Sequence, residues 1–275
     1  MSDKLITTYI VELLYQASPA VDGHALLGEL RKRCGNVDRL GEKDGFYLYA
    51  FPDHKIDYSD GQVCAQIFLS YPDKGKEKLD VEQALQQSWA WREARETVAT
   101  CHTHLLLTDL MAQGMNYKTR LGLFHQALES VLAIAPCQAI HWVASQQVVN
   151  PSDYLQARQA QDCHPLRFAL NVRLFNISNG KDGEVLMDTM GLGTLGLPDL
   201  QCHLIGLDTN QVARVLYNTA YYIFENGDVI RDGHTVQGIK PDDKWKCQHE
   251  MALVKPERQV IDLNPGKPYA AGKRK

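Results

Sequence analysis

Residues 168–177 alternate with a period of two. Phe168, Leu170, Val172 and Leu174 fall on one side, and Asn171 and Arg173 on the other. That is the pattern of a strand with one face toward a core. Asn179-Gly180 and Asp182-Gly183 follow, so the chain turns and returns as a second strand over 184–190. A third strand is expected over 202–207. Asp208 then opens a helix, with Gln211 three residues on as the second half of a capping box. Val212, Val215, Leu216, Thr219 and Ile223 repeat at helical spacing, and Gly227 closes the helix. This block is committed to strands in a sheet and one helix against it.

The first half gives a comparable order. Residues 5–15 read as a strand. Asp22 opens a helix with Leu26, Leu27, Leu30 and Cys34 on one face, ended by Gly35. Strands are expected at 46–50 and 63–70, then a charged loop over 71–80. Asp80 with Gln83 suggests a capping box for a helix reaching Arg92, and 97–107 reads as the next strand. The order is β-α-β-β-α-β, the ferredoxin-like plan. A long helix over 117–134 follows, with Leu121, Phe124, Leu128, Val131, Leu132 and Ala135 as its stripe and Pro136 as its stop. In the second half a strand over 138–144 and a short helix opened by Pro151-Ser152-Asp153 precede the block described above. The fold class is therefore α+β. It consists of two ferredoxin-like modules, residues 1–136 and 137–265, or of one continuous mixed sheet with helices on one side. Residues 266–275 read as a basic flexible tail.

The chain has 275 residues, enough for a core without staples. Its formal net charge of −4 lacks the basic excess of a nucleic-acid binder, and none is expected as a partner. No run approaches the length of a membrane helix, and the N-terminus lacks the pattern of a signal peptide, so no membrane association is expected. Seven scattered cysteines without a C-x-x-C pair fit reduced thiols in the cytoplasm.

Chemistry is thinly signalled. Gly191-Leu192-Gly193-Thr194-Leu195-Gly196 spells G-x-G-x-x-G, but Pro198 and Asp199 leave no room for the helix that a dinucleotide site needs. It reads as a turn that lets backbones pack closely, and no cofactor is expected. His102 and His104 share one strand face and could converge on a metal, with His141, His203 or the Cys247-Gln248-His249-Glu250 run as third donor. The alternative is the polar face of a half-exposed strand. Cys247 with His249 could make a thiolate–imidazole pair, and Asp232-Gly233-His234-Thr235 a proton-transfer loop. Ordinary surface hydrogen bonding is the preferred reading of each. Tyr217, Tyr221 and Phe224 line one flank of the Asp208 helix, either wedged between layers or facing a partner. Trp89 and Trp91 cannot share a helix face, so one could be exposed.

Four segments, HWVASQQVV (141–149), NVRLFNISNG (171–180), MDTMGLGTLGLPDLQCH (187–203) and AYYIFENGDVIRDGHT (220–235), resemble a bacterial family known as domain of unknown function 4261. The resemblance spans roughly 97–264. It implies a bacterial intracellular protein and brings no activity, so no catalytic residue is transferred. With no established active-site motif present, the expectation is a non-enzymatic module that binds a protein partner, for instance a toxin-neutralising immunity protein. The competing expectations are a metal-assisted hydrolase using His102 and His104, or a small-molecule sensor.

Overall fold

Helix caps and apolar stripes set the first elements. The Asp22 carboxylate accepts from the amides of His24 and Ala25, and α1 (Gly23–Cys34) runs from there to Gly35, whose φ of 81° suits a glycine. Asn116 caps α4 (Tyr117–Ile134) in the same way, and its stripe of Leu121, Phe124, Leu128, Val131 and Leu132 is buried as expected. The computed structural model that shows this describes residues 7–43, 45–59, 61–71, 80–160 and 162–272. Within them the chain is α+β, with two sheets rather than one continuous sheet. It divides into an N-terminal unit, Thr8–Phe168, and a C-terminal unit beginning at Ala169.

The N-terminal unit holds β1 (Ile10–Tyr15), β2 (Asp38–Lys43), β3 (Phe46–Tyr58), β4 (Gly61–Ser70), β5 (Thr103–Leu110), β6 (Ala139–Trp142) and β7 (Gln147–Val149). They form one sheet in the order β2-β3-β4-β5-β1-β6-β7, antiparallel throughout. β6 hydrogen-bonds to β1, which is why the unit extends to Phe168 and not to the expected boundary at 136.

The short helices differ from expectation. α2 is only Glu82–Gln86, with Val81 at its N-cap and no side chain capping it, so Asp80 and Gln83 do not form the expected box. Residues 94–99, read in part as strand, form α3 (Ala94–Ala99). The reason is packing. Ala94 and Val98, one helical turn apart, enter a cluster with Leu14, Ala84, Cys101, Ala139 and Val148. Trp91 leans on that cluster while Trp89 is exposed. Most of the charged loop at 71–80 lies outside the described residues.

One face of this sheet is sealed. Val11, Leu13, Leu105, Leu107, Ala65, Ile67 and Leu69 alternate onto it and are buried, and α1 packs beside α4. The Tyr15 hydroxyl donates to the carbonyl of Ala135 at the end of α4. Asp109 and Arg120 pair at 2.6 Å, both buried, beside a recess with room for about 10 Å³, the space of a single water. An aromatic group fills the far end. Tyr9 stacks on Phe124 at 5.1 Å, and Trp142 stands edge-on to both. Tyr154, from α5 (Pro151–Gln159), and Phe168 complete it.

The C-terminal unit holds β8 (Asn171–Asn176), β9 (Glu184–Met190), β10 (Asp199–Ile205), α6 (Thr209–Asn226), β11 (Thr235–Gln237), β12 (Lys244–Met251) and β13 (Gln259–Asn264). The sheet order is β11-β12-β13-β10-β9-β8, with β10 and β13 parallel and the other pairs antiparallel. The connection between that parallel pair runs through α6, β11 and β12, and α6 packs on β8, β9 and β10. Asp208 caps it through the amide of Gln211, and Gly227 ends it at φ 79°. The helix opened at Pro151 belongs to the other unit, so this sheet lacks the first strand and helix of a second β-α-β-β-α-β run. The expected tail is pinned at its start. The amide of Ile205 donates to the carbonyl of Tyr269, and that of Ala271 to His203; residues 273–275 lie outside the described set.

His125, fully buried on α4, links this packing to pH. Its Nδ1 lies 2.8 Å from the Tyr154 hydroxyl and its Nε2 2.9 Å from the carbonyl of Pro165. Burial, reinforced by the charge of Arg158, pulls its pKa down to about 3. The folded state thus holds a neutral ring, while the unfolded chain takes up a proton below about pH 6.5. The stabilisation is full above that value and is lost as pH falls toward 3. Wild-type unfolding free energy, from urea titrations between pH 6.5 and 4, is expected to fall more steeply than that of His125→Gln, by up to about 1.4 kcal/mol per pH unit. Equal slopes would show that another group governs acid unfolding.

Candidate functional site

Strand alternation puts Arg173, Asp188, Gln201 and Asp262 on one face of the C-terminal sheet. Register sets them side by side, Arg173 against Asp188, Asp188 against Gln201, and Gln201 against Asp262. All four are buried. Arg173 grips Asp188 with two bonds, Nε to Oδ1 at 2.9 Å and Nη2 to Oδ2 at 2.5 Å. Arg258, which arrives from residues 252–258 just before β13, adds its Nη2 to Asp188 Oδ2 at 2.7 Å and sets its Nε 3.3 Å from Asp199 Oδ2. Asp199 also accepts from the Thr189 hydroxyl at 3.0 Å and from the amides of Leu192 and Gly193 at 3.1 and 3.3 Å. Burial pushes the Asp199 carboxyl above its usual range despite the guanidinium beside it. Removing charges from water at this cost is a poor route to stability, so the cluster marks this face as a functional candidate.

The glycine-rich segment belongs to the same cluster. Leu192–Leu195 form a single 3-10 turn whose opening amides are those bound by Asp199. The donors that a phosphate would require are therefore engaged by the protein's own carboxylate. Gly191, at φ 138°, passes so close to Ala169 that a Cβ there would sit 2.2 Å from the carbonyl oxygen. Close backbone approach is the role the sequence suggested for it.

The N-terminal unit offers a second constellation. On the sheet face opposite α1 and α4, Glu12 Oε2 lies 2.8 Å from His141 Nδ1 on the neighbouring strand. His104, paired with Leu14 across the other side of β1, is on the same face. Burial tends to raise the Glu12 carboxyl, but the hydrogen bond and charge of His141 and the charge of His104 outweigh it, and it lies below its usual range. A carboxylate that orients an imidazole is the supporting half of a general-base pair.

His104 is buried on β5, while His102 precedes the strand, is exposed, and donates its amide to the carbonyl of Tyr15. Among the described residues no three His, Cys, Asp or Glu side chains are grouped to hold a metal. His203 is bound to Glu184 at 2.8 Å, and His249 to Asp232 at 2.8 Å. Cys247 is buried, and burial pushes its thiol up to about 11, which disfavours the thiolate. His249 turns to Asp232, whose carboxyl is held below its usual range by the backbone and ring hydrogen bonds of that residue. His234 Nδ1 accepts from the amide of Arg231. On α6, the Tyr217 and Tyr221 rings lie 6.1 Å apart and half-buried, Phe224 is in the core, and Tyr222 is the exposed aromatic. Sequence reading did not identify Asp188, Asp199 or Arg258. The available signal was a lone aspartate inside the apolar run VLMDTM, which a buried strand tolerates only with a partner.

Residues 188–264 match the model of a family described as domain of unknown function (DUF4261). The match begins at Asp188 and contains Asp199, Gln201, Arg258 and Asp262, so the buried cluster lies inside it apart from Arg173. No curated protein and no solved structure matches the chain.

Replacing Asp188 with Asn keeps the shape and leaves two buried guanidinium groups without their shared anion. The expected cost is about 3–5 kcal/mol, read as a lower midpoint in urea for probes in the C-terminal unit. A loss below about 1 kcal/mol would mean that the cluster is solvated in solution.

Proposed function

We propose that this is a non-enzymatic, protein-binding module that reads its partner with the second face of the N-terminal sheet. The observation that carries this reading is the exposure of that face beyond the end that α2 and α3 cover around Leu14, Ala139 and Val148. Ile10, Phe46, Leu48, Phe68 and Leu106 are half-buried on it and Leu110 is exposed, while their neighbours on the opposite face are sealed. The Phe46 and Phe68 rings lie 5.8 Å apart across β3 and β4. Contiguous apolar side chains rimmed by polar groups, here Glu12 and Gln66, are what a protein interface requires.

A toxin-neutralising immunity protein is the specific form this reading takes. It is supported by the acidic excess, because the net charge of −4 resides in residues 8–168 and would favour a basic partner. Seven free thiols support a reducing, cytoplasmic location, and among the described residues no helix is long and apolar enough to cross a membrane. A ferredoxin-like core is supported in the N-terminal unit by the order β4-β5-β1-β6, alternating in direction, with α1 after β1 and α4 joining β5 to β6. On this reading the fourth strand of the plan is β6 and not the segment beginning at residue 97.

The test is co-expression with the products of adjacent genes, followed by size-exclusion chromatography. One product is expected to comigrate. Leu48→Arg and Phe68→Arg are expected to weaken that complex at least about 10-fold, while Tyr222→Arg on α6 leaves it intact. Absence of any comigrating product, or wild-type binding by both sheet variants, would remove the proposal.

A further inference from the structure

Residues 252–258 cross the polar face of the C-terminal sheet as a strap. Its ends are tied together, because the amide of Ala252 donates to the carbonyl of Arg258 at 2.9 Å. The loop can therefore move as one piece. Its hold on the sheet is polar. Arg173 Nη1 and Nη2 both reach the carbonyl of Lys255 at 3.2 Å, and the amide of Leu253 donates to Gln201 Oε1 at 3.1 Å. Arg258 bonds the carbonyl of Pro256 within the strap at 3.0 Å, then enters the sheet to reach Asp188 and the carbonyl of Thr189. Pro256 and Arg258 are buried, while Leu253, Lys255 and Glu257 are exposed, so little apolar area fastens the loop. Beneath it stand Arg173, Asp188, Gln201 and Asp262 in their row across four strands.

We propose that this strap is a latch that opens as a unit on a sheet that stays folded, uncovering that charged row. Segments with few buried apolar contacts open at a lower free energy than the core beside them. The charges exposed by opening regain water, which offsets part of the lost pairing. The bonds from Arg173 to Lys255 are the part of the latch that belongs to the sheet, and those of Arg258 the part that travels with the strap.

Native-state hydrogen exchange on the full chain, over a series of low urea concentrations, tests this. The amide of Leu253, which opening separates from Gln201, is expected to exchange about 100-fold faster than those in the middle of β10, with a much weaker dependence on urea. In Arg173→Met that amide is expected to quicken about a further 10-fold relative to those of β10. Exchange of strap and β10 amides at one rate and one urea dependence would show that the strap opens only with global unfolding, and would overturn the proposal. A variant with the wild-type ratio would do the same for the arginine latch. If the variant does not fold, the wild-type comparison decides alone.

Discussion

The shared grip of Arg173 and Arg258 on Asp188 is the interaction on which the C-terminal unit depends. Three chain segments meet there, β8 through Arg173, β9 through Asp188, and the strap before β13 through Arg258. Attraction between such charges is large at low dielectric, and so is the cost of removing them from water. The cluster also discriminates between registers. A slip of one residue between β8 and β9 would turn Arg173 toward α6 and place a guanidinium among Val212, Val215 and Leu216. Asp188 would keep a single partner. Apolar side chains tolerate such slips more readily, because one branched hydrocarbon resembles the next.

The same cluster explains the glycine-rich turn after β9. Asp199 must reach Arg258 on one side and the amides of Leu192 and Gly193 on the other. That requires the chain to fold back tightly between Met190 and Asp199, and Gly191 permits it by running against Ala169 where a Cβ has no room. A pattern that elsewhere cradles phosphate here closes around a carboxylate supplied by the protein, by the same chemistry of converging backbone amides. The spelling of the motif could not distinguish the two uses. What distinguished them in the sequence was the absence of space for a following helix.

Features governed by local chemistry were legible. Asp22, Asp208, Gly35 and Gly227 mark helix ends by the bonds and dihedral angles that their side chains allow, and α4 follows its apolar stripe from Leu121 to Leu132. Strand alternation at 171–174 correctly separated Arg173 from Val172 and Leu174. Alternation says which face a residue takes but not what covers that face, and so the Arg173 partner Lys255, 82 positions away, was invisible. Strand neighbours were hidden for a related reason. Nothing in residues 139–142 announces pairing with β1 rather than with the strands that follow. The helix at 94–99 shows a third limit. Ala94 and Val98 become meaningful one turn apart only because Leu14 and Val148 wait opposite them.

The two sheets resolve the same problem in opposite ways. Each has one face sealed by apolar helix packing, and each must do something with the other. The N-terminal sheet covers one end of its second face with α2 and α3 and leaves apolar side chains such as Leu48 and Phe68 half in water, where each costs little and can still be buried by a partner. The C-terminal sheet carries charge on its second face and covers it with a strap. Cover and charge sustain each other there. The strap excludes the water that would weaken the ion pairs, and polar bonds, the Arg258 ion pairs among them, are most of what holds the strap. Such mutual dependence favours opening in one step, from closed and dry to open and wet, over anything between them.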